Sequence, residues 1–180
     1  WKEGVAGYGP LFILQTRVLF ALSGNNIVAA IAASKLFNLL VLTVAIWLWR
    51  QLSEDRRFGA TVPAAALLFV WNPLVLFEGL SSAHNDLVMA ACLLGAYVYW
   101  VRERWLGFAA LWTLSVWYKW YSLLLGPVFL FWWCKQFDRT RWLIHGIGMA
   151  AVVIGVSSLS LVPYGDVAYT ILRKPWDIKI

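Results

Sequence analysis

The stretch IVAAIAASKLFNLLVLTVAIWLWR (27–50) decides the fold. From Ile27 to Trp49 its only charged residue is Lys35. A helix needs about 20 apolar residues to cross a bilayer core, and this run supplies them. Trp47 and Trp49 form an aromatic belt, and Arg50 is a basic stop. The rest of the chain has the same character. Its 180 residues are 62% hydrophobic and 13% charged, with a mean hydropathy of +0.70. Soluble domains carry about 25% charged residues. The composition excludes a soluble enzyme, a nucleic-acid-binding domain, a disordered chain and a disulfide scaffold. It predicts an all-α, polytopic transmembrane bundle with about six spans or half-spans.

On the N-terminal side, WKEGVAGYGP (1–10) reads as a loop. Residues 11–22 are apolar but interrupted by Gln15, Thr16 and Arg17. Twelve helical residues reach only about 18 Å, so this segment is expected to be re-entrant or interfacial, ending at Ser23–Gly24–Asn25–Asn26. On the other side, a charged loop (50–59) precedes a second span (61–79) weakened by Pro63 and Asn72–Pro73. The polar break Ser81 to Asp86 follows. A third span is expected from about 84 to 101. Residues 105–133 are long for one crossing and short for two, with Gly126–Pro127 set to break a continuous helix. The last span, 142–163, holds Gly148, Ala151 and Gly155, which suit close helix packing. The expected organisation is one transmembrane domain, 1–180. It comprises an outer loop and short helix (1–26), the bundle (27–163) and an outer-side tail (164–180). Trp1 in place of an initiating Met suggests a piece of a longer chain. Cys92 and Cys134 have no ligand-spaced neighbours and read as structural.

The net charge of +6 is read as topology. Loops 50–58, 102–104 and 135–141 hold Arg50, Arg56, Arg57, Arg102, Arg104, Lys135, Arg139 and Arg141. Turns 23–26 and 80–86 hold no Lys or Arg. The three basic loops are therefore expected to be cytoplasmic in a multi-pass cell-membrane protein. Segment 105–133 must then cross twice or form a hairpin, with Lys119 on the outer side.

Five features converge on that outer side: Tyr8–Gly9–Pro10, Lys35 with Asn38, Glu78, the triplet His84–Asn85–Asp86, and Lys119. Ionisable residues at membrane depth are costly and usually face a wet cavity or one another. One reading is structural, with Glu78 and Asp86 offsetting Lys35 and Lys119, and with Asn85 or Asp86 as a helix cap. The other is chemical. Asp86 or His84 serves as a general base or hydroxyl acceptor, and Lys119 binds a phosphate as a point charge. Trp117, Trp120 and Tyr121 then stack on a sugar or line a lipid groove. Glu54, Asp55, Glu103 and Asp138 read as solvated partners of nearby arginines, and His145 as a packing residue.

WNPLVLFEGLSSAHNDLVMAACLLGAY (71–97) resembles the polyprenyl-phosphate-sugar-dependent GT-C glycosyltransferases in its Asn-Pro, its glutamate and its Ala-His-Asn-Asp helix opening. It is most similar to the bacterial α-1,6-mannosyltransferase type, which uses polyprenyl-phosphate mannose. YGPLFILQ (8–15) resembles that family's Tyr-x-Pro-Leu stretch, and SVWYKWYSLLLGPVFLFWW (115–133) its lysine-bearing hairpin. Trp120 and Tyr121 depart from it where relatives often have a proline. The resemblance implies a GT-C-like fold and an outward cavity in which Asp86, His84 and Glu78 are catalytic. Lys119, Asn85, Tyr8, Lys35 and Asn38 would bind substrate. Lys119, with Arg17 or Arg173, would stabilise the departing phosphate, and an acidic residue would deprotonate the acceptor. The resemblance also implies an essential acidic residue ahead of Tyr8–Gly9–Pro10, before this sequence starts.

The implied function is transfer of a mannose-like hexose from a polyprenyl-phosphate donor to a glycan or lipid acceptor. The partners are then membrane lipid, donor and acceptor, with no nucleic acid. No cofactor is assigned, and a divalent metal stays open. The alternative is a transporter or flippase with a polar mid-membrane site, which the broken helices at Asn72–Pro73 and Gly126–Pro127 would suit. A non-catalytic packing module is a third reading.

Overall fold

The computed structural model describes residues 9–54, 61–82, 84–136 and 139–167. The fold is an all-α membrane helix bundle. Among the described residues there is no strand. Seven α-helices follow in order: α1 Pro10–Leu22, α2 Ile27–Ser53, α3 Thr61–Val70, α4 Asp86–Val101, α5 Trp105–Tyr118, α6 Gly126–Gln136 and α7 Arg139–Leu161. A π-helical segment, Val75–Ser81, joins α3 to α4, and a 3₁₀ segment, Trp120–Leu125, joins α5 to α6.

Local chemistry sets the boundaries. Pro10 sits at the first position of α1, where its missing N–H costs nothing. Gly24 and Asn25 turn the chain with φ of 61° and 60°, a left-handed conformation those residues tolerate best. Asn26 caps α2 by accepting from the Ala29 N–H at 3.1 Å. At the next break, Asn72 Oδ1 accepts from the Leu74 N–H at 2.9 Å, while Pro73 can donate nothing. The chain bends there by 57° between Pro63–Val70 and Val75–Ser81. Glu103, with φ 57°, turns α4 tightly into α5. Gly107 permits that closeness, because a Cβ there would lie 2.2 Å from Cδ1 of Tyr99.

Among the described residues two helices are long and apolar enough to cross a membrane, Ile27–Ser53 and Thr140–Gly165, and the bent pair allows a third. The expectation of about six spans or half-spans therefore resolves into few full crossings and several short helices. The third expected span is 16 residues in α4, about 24 Å of helix. Segment 105–133 is a hairpin. Trp105, at the start of α5, packs on Trp133, near the end of α6, with ring centroids 5.0 Å apart. Pro127 begins a helix here instead of breaking one. The break falls at Lys119, whose backbone is extended (φ −156°, ψ 123°). On α7 only part of the expected small-residue seam is packed. A Cβ on Gly148 would meet Leu106 at 3.1 Å, whereas Gly155 faces open space, and Ala151 is exposed.

The bundle has two distinct ends. At one, Leu48, Leu52 and Val98 form a buried apolar cluster flanked by Trp49 and Leu94. Arg102 reaches across there and donates through Nη2 to Gln51 Oε1 at 2.6 Å. Trp133 also packs on His145, at 6.3 Å, so the start of α7 joins this end. The described parts of the three basic loops thus lie together. At the opposite end the start of α4 meets the middle of α2 through Asn38 and the end of α5 through Asn85, and the polar residues gather there.

Candidate active site

The site is built where α4 begins and α5 ends. The π segment carries Glu78 and turns directly into the His84–Asn85–Asp86 triplet, with the His84 N–H donating to the Glu78 carbonyl at 2.8 Å. Such π insertions recur at functional sites. Asp86 is the first residue of α4, where the helix dipole favours a carboxylate. Lys119 projects from the extended corner after α5. Its Nζ pairs with Asp86 Oδ1. The Lys119 side chain is 15% exposed and that of Asp86 43%, so the cation is held inside and the anion stays accessible. Asp86 Oδ2 also lies 3.8 Å from His84 Nδ1. The Lys119 ammonium sits 5.2 Å from the centroid of the Tyr121 ring, at cation–π distance.

The two asparagines do not reach outward. Asn38 is 1% exposed. Its amide donates to the Gly79 carbonyl at 2.6 Å and to the His84 carbonyl at 3.0 Å. Asn85 is also 1% exposed and stands at the N-cap of α4 without a side-chain cap bond. Its amide instead donates to the Tyr118 carbonyl at 3.2 Å. That carbonyl also accepts from the Gly9 N–H at 3.0 Å. Substrate contact was expected of both asparagines; their amide donors are spent on backbone carbonyls that shape the site.

Other expectations divide similarly. Glu78 and Asp86 line one cavity of about 230 Å³, with Phe69, Leu74, Leu87 and Met89 among its apolar walls. Lys35 lies exposed on α2, a turn from Asn38. Among the described residues neither it nor Glu78 makes an ion pair, so the pairing of Lys35 with Glu78 does not form. Trp117 is 6% exposed and donates through Nε1 to Ser157 Oγ at 2.8 Å, which removes it from sugar stacking. Tyr121 is exposed at the corner. Arg17 is exposed on α1. Tyr8 and Arg173 lie outside the described residues. Among the described residues no group of three or more His, Cys, Asp or Glu side chains is arranged to hold a metal.

The sequence reading missed several supports. Ser115 and Ser122 are buried and hydrogen-bond to each other at 2.6 Å. Ser115 also donates to the Met89 carbonyl at 3.0 Å, tying α4 to the Lys119 corner. Tyr164 donates its hydroxyl to the Pro10 carbonyl. A serine seven positions before another, across a lysine, was the only trace of the first pair in the sequence. A second cavity, about 550 Å³ and almost wholly apolar, runs between α5, α6 and α7 past Trp112, Gly126, Phe129, Trp133 and Ile147.

Comparison with known proteins decides the family. Residues 1–135 match the family described as alpha-(1→6)-mannopyranosyltransferase, N-terminal domain. The chain belongs to that family. An alpha-(1→6)-mannopyranosyltransferase of Mycobacterium tuberculosis is 32% identical over 102 residues, covering 57% of this chain and 17% of that protein. Alpha-(1→6)-mannopyranosyltransferase A of the same organism is 27% identical over 141 residues, covering 78% of this chain and 27% of that protein. A Corynebacterium glutamicum relative, also named alpha-(1→6)-mannopyranosyltransferase A, is 23% identical over 116 residues, covering 64% of this chain and 23% of that protein. The chain thus spans about a quarter or less of the length of these curated relatives. No solved structure matches the chain. The family match covers Asn38, Glu78, the 84–86 triplet and Lys119, so the site described above lies within the mannopyranosyltransferase N-terminal domain.

Proposed function

We propose that this chain forms part of a mannosyltransferase that takes mannose from a polyprenyl-phosphate donor on the outer side of the membrane. The observation that carries the reading is the Asp86–Lys119 pair at the recessed polar end of a bundle from this family. Asn38 lies about 18 Å along α2 from Arg50, and this reading takes the Asp86–Lys119 pair to lie at membrane depth. A water-soluble nucleotide sugar reaches such depth poorly, whereas a lipid-linked donor is already there. The apolar cavity beside Trp112 and Gly126 suits an isoprenoid chain.

In this mechanism Lys119 holds the donor phosphate and stabilises its charge as the bond to the anomeric carbon breaks. The acceptor hydroxyl attacks that carbon with inversion, and a carboxylate takes its proton. Asp86 and His84, both partly open, receive the acceptor, and Glu78 accepts from a sugar hydroxyl in the small cavity. Lys35 stands at the outer rim, and Tyr8 is assigned to substrate binding. The basic loops then face the cytoplasm, and the acceptor is a glycan or lipid of the cell envelope.

The test supplies membranes carrying the protein with labelled mannose on a polyprenyl phosphate or on a nucleotide. Transfer from the lipid donor alone supports the reading. Transfer from the nucleotide sugar with lipid-phosphate synthesis blocked overturns it.

A further inference from the structure

Two hydrogen bonds from one buried side chain fix the path of the loop that carries the acidic residues. Asn38 Nδ2 lies 2.6 Å from the Gly79 carbonyl oxygen and 3.0 Å from that of His84. These carbonyls are the two ends of the turn between the π segment and α4. Gly79 is itself buried against Leu87; a Cβ there would lie 3.2 Å from that leucine's Cδ2. A π segment shifts the helical ladder off its i+4 register, and Asn38 supplies donors to this turn from a different helix. One layer further, Asn85 donates to the Tyr118 carbonyl at 3.2 Å. Asp86 follows Asn85 and Lys119 follows Tyr118. The amide bond and the ion pair are therefore successive rungs between the same two segments.

We infer that Asn38 is the positioning residue of this site: by gripping both ends of the 79–84 turn it holds Asp86 in register with Lys119. It touches no substrate and acts through Asp86. This inference rests on the proposed function only for its consequence in catalysis; the geometric part stands on its own. α2 is a long helix, 27 residues, and the turn that leads into α4 is anchored to it through Asn38. Leucine at this position would keep the branching of asparagine and offer no donor to either carbonyl. Gln keeps the amide with one more methylene.

Two measurements on the full membrane-inserted protein test the inference. The first needs no activity. The rate at which an amine-reactive reagent labels Lys119 is compared for the natural protein, Asn38→Leu, Asn38→Gln and Asp86→Asn, with Lys135 as the exposed internal reference. Asn38→Leu should raise Lys119 labelling several-fold, approaching Asp86→Asn, with Lys135 unchanged and Asn38→Gln between. Should the Leu variant fail to accumulate, Asn38→Ser, with one short donor, takes its place. Unchanged Lys119 labelling in a folded variant overturns the inference whether or not mannose is transferred. The second is a double-mutant cycle on transfer. Asn38→Leu should lower kcat in the natural background and cost nothing further beside Asp86→Asn. Equal losses in both backgrounds would assign Asn38 a merely structural role and overturn it.

Discussion

Asp86, the first residue of α4, and Lys119, the extended corner after α5, form an ion pair 33 residues apart in sequence. The pair ties the start of one short helix to the end of the next. The Asp86 side chain is 43% exposed and that of Lys119 only 15%, so the anion is open to a ligand while the cation depends on it for charge compensation.

Asp86→Asn removes the partner of that recessed ammonium while keeping a hydrogen-bonding side chain, and is expected to lower unfolding stability in detergent by about 1–3 kcal/mol. A thermal shift series on the purified protein checks this. A much larger loss would make the pair chiefly structural.

Gly9 makes a steric prediction. A Cβ there would lie 1.9 Å from the Trp117 carbonyl oxygen and 2.6 Å from its carbon, so α1 seats directly on the backbone of α5. Gly9→Ala must push α1 away and break the Gly9 N–H bond to Tyr118. The expected cost is about 1–3 kcal/mol, read as lower accumulation and earlier unfolding.

Much of this was legible in the sequence. The apolar run of α2, the break at Asn72–Pro73 and the turn at Gly24–Asn25 all follow from local residue chemistry. So does the gathering of Glu78, the 84–86 triplet and Lys119, because charges in an apolar chain have few places to go. Pro127 was misjudged, since a proline breaks a helix interior but suits its first turn. Which of these applied depended on where residues 119–125 went. Asn38 reads in the sequence as a substrate contact, whereas in the structure its amide donates to backbone carbonyls 41 and 46 residues away, and no side-chain pattern marks a carbonyl. The Tyr164 bond to Pro10 spans 154 residues and was invisible for the same reason.

The buried serine pair gives a further check. Ser115→Ala leaves the Ser122 hydroxyl without its 2.6 Å partner and removes the bond to Met89. A loss of about 1–2 kcal/mol is expected. Ser115→Ala with Ser122→Ala should cost less than the sum of the two single changes, measured by denaturation in detergent.

Lys35 separates rim from scaffold. It is exposed on α2, and among the described residues it makes no ion pair. Lys35→Ala should therefore change stability by less than about 0.5 kcal/mol. A raised KM for the lipid donor with kcat retained would fit its proposed place at the rim; a changed unfolding temperature would contradict it.

The central claim is that the Asp86–Lys119 corner, with Glu78 beside it, is where mannose is transferred. Its most direct test measures labelled mannose leaving polyprenyl-phosphate mannose in membranes carrying the natural protein, Asp86→Asn, Lys119→Ala or Glu78→Gln, each at matched amounts of folded protein. The account predicts that each substitution depresses transfer, with Asp86→Asn and Lys119→Ala losing most of it. Full transfer in all three would contradict it.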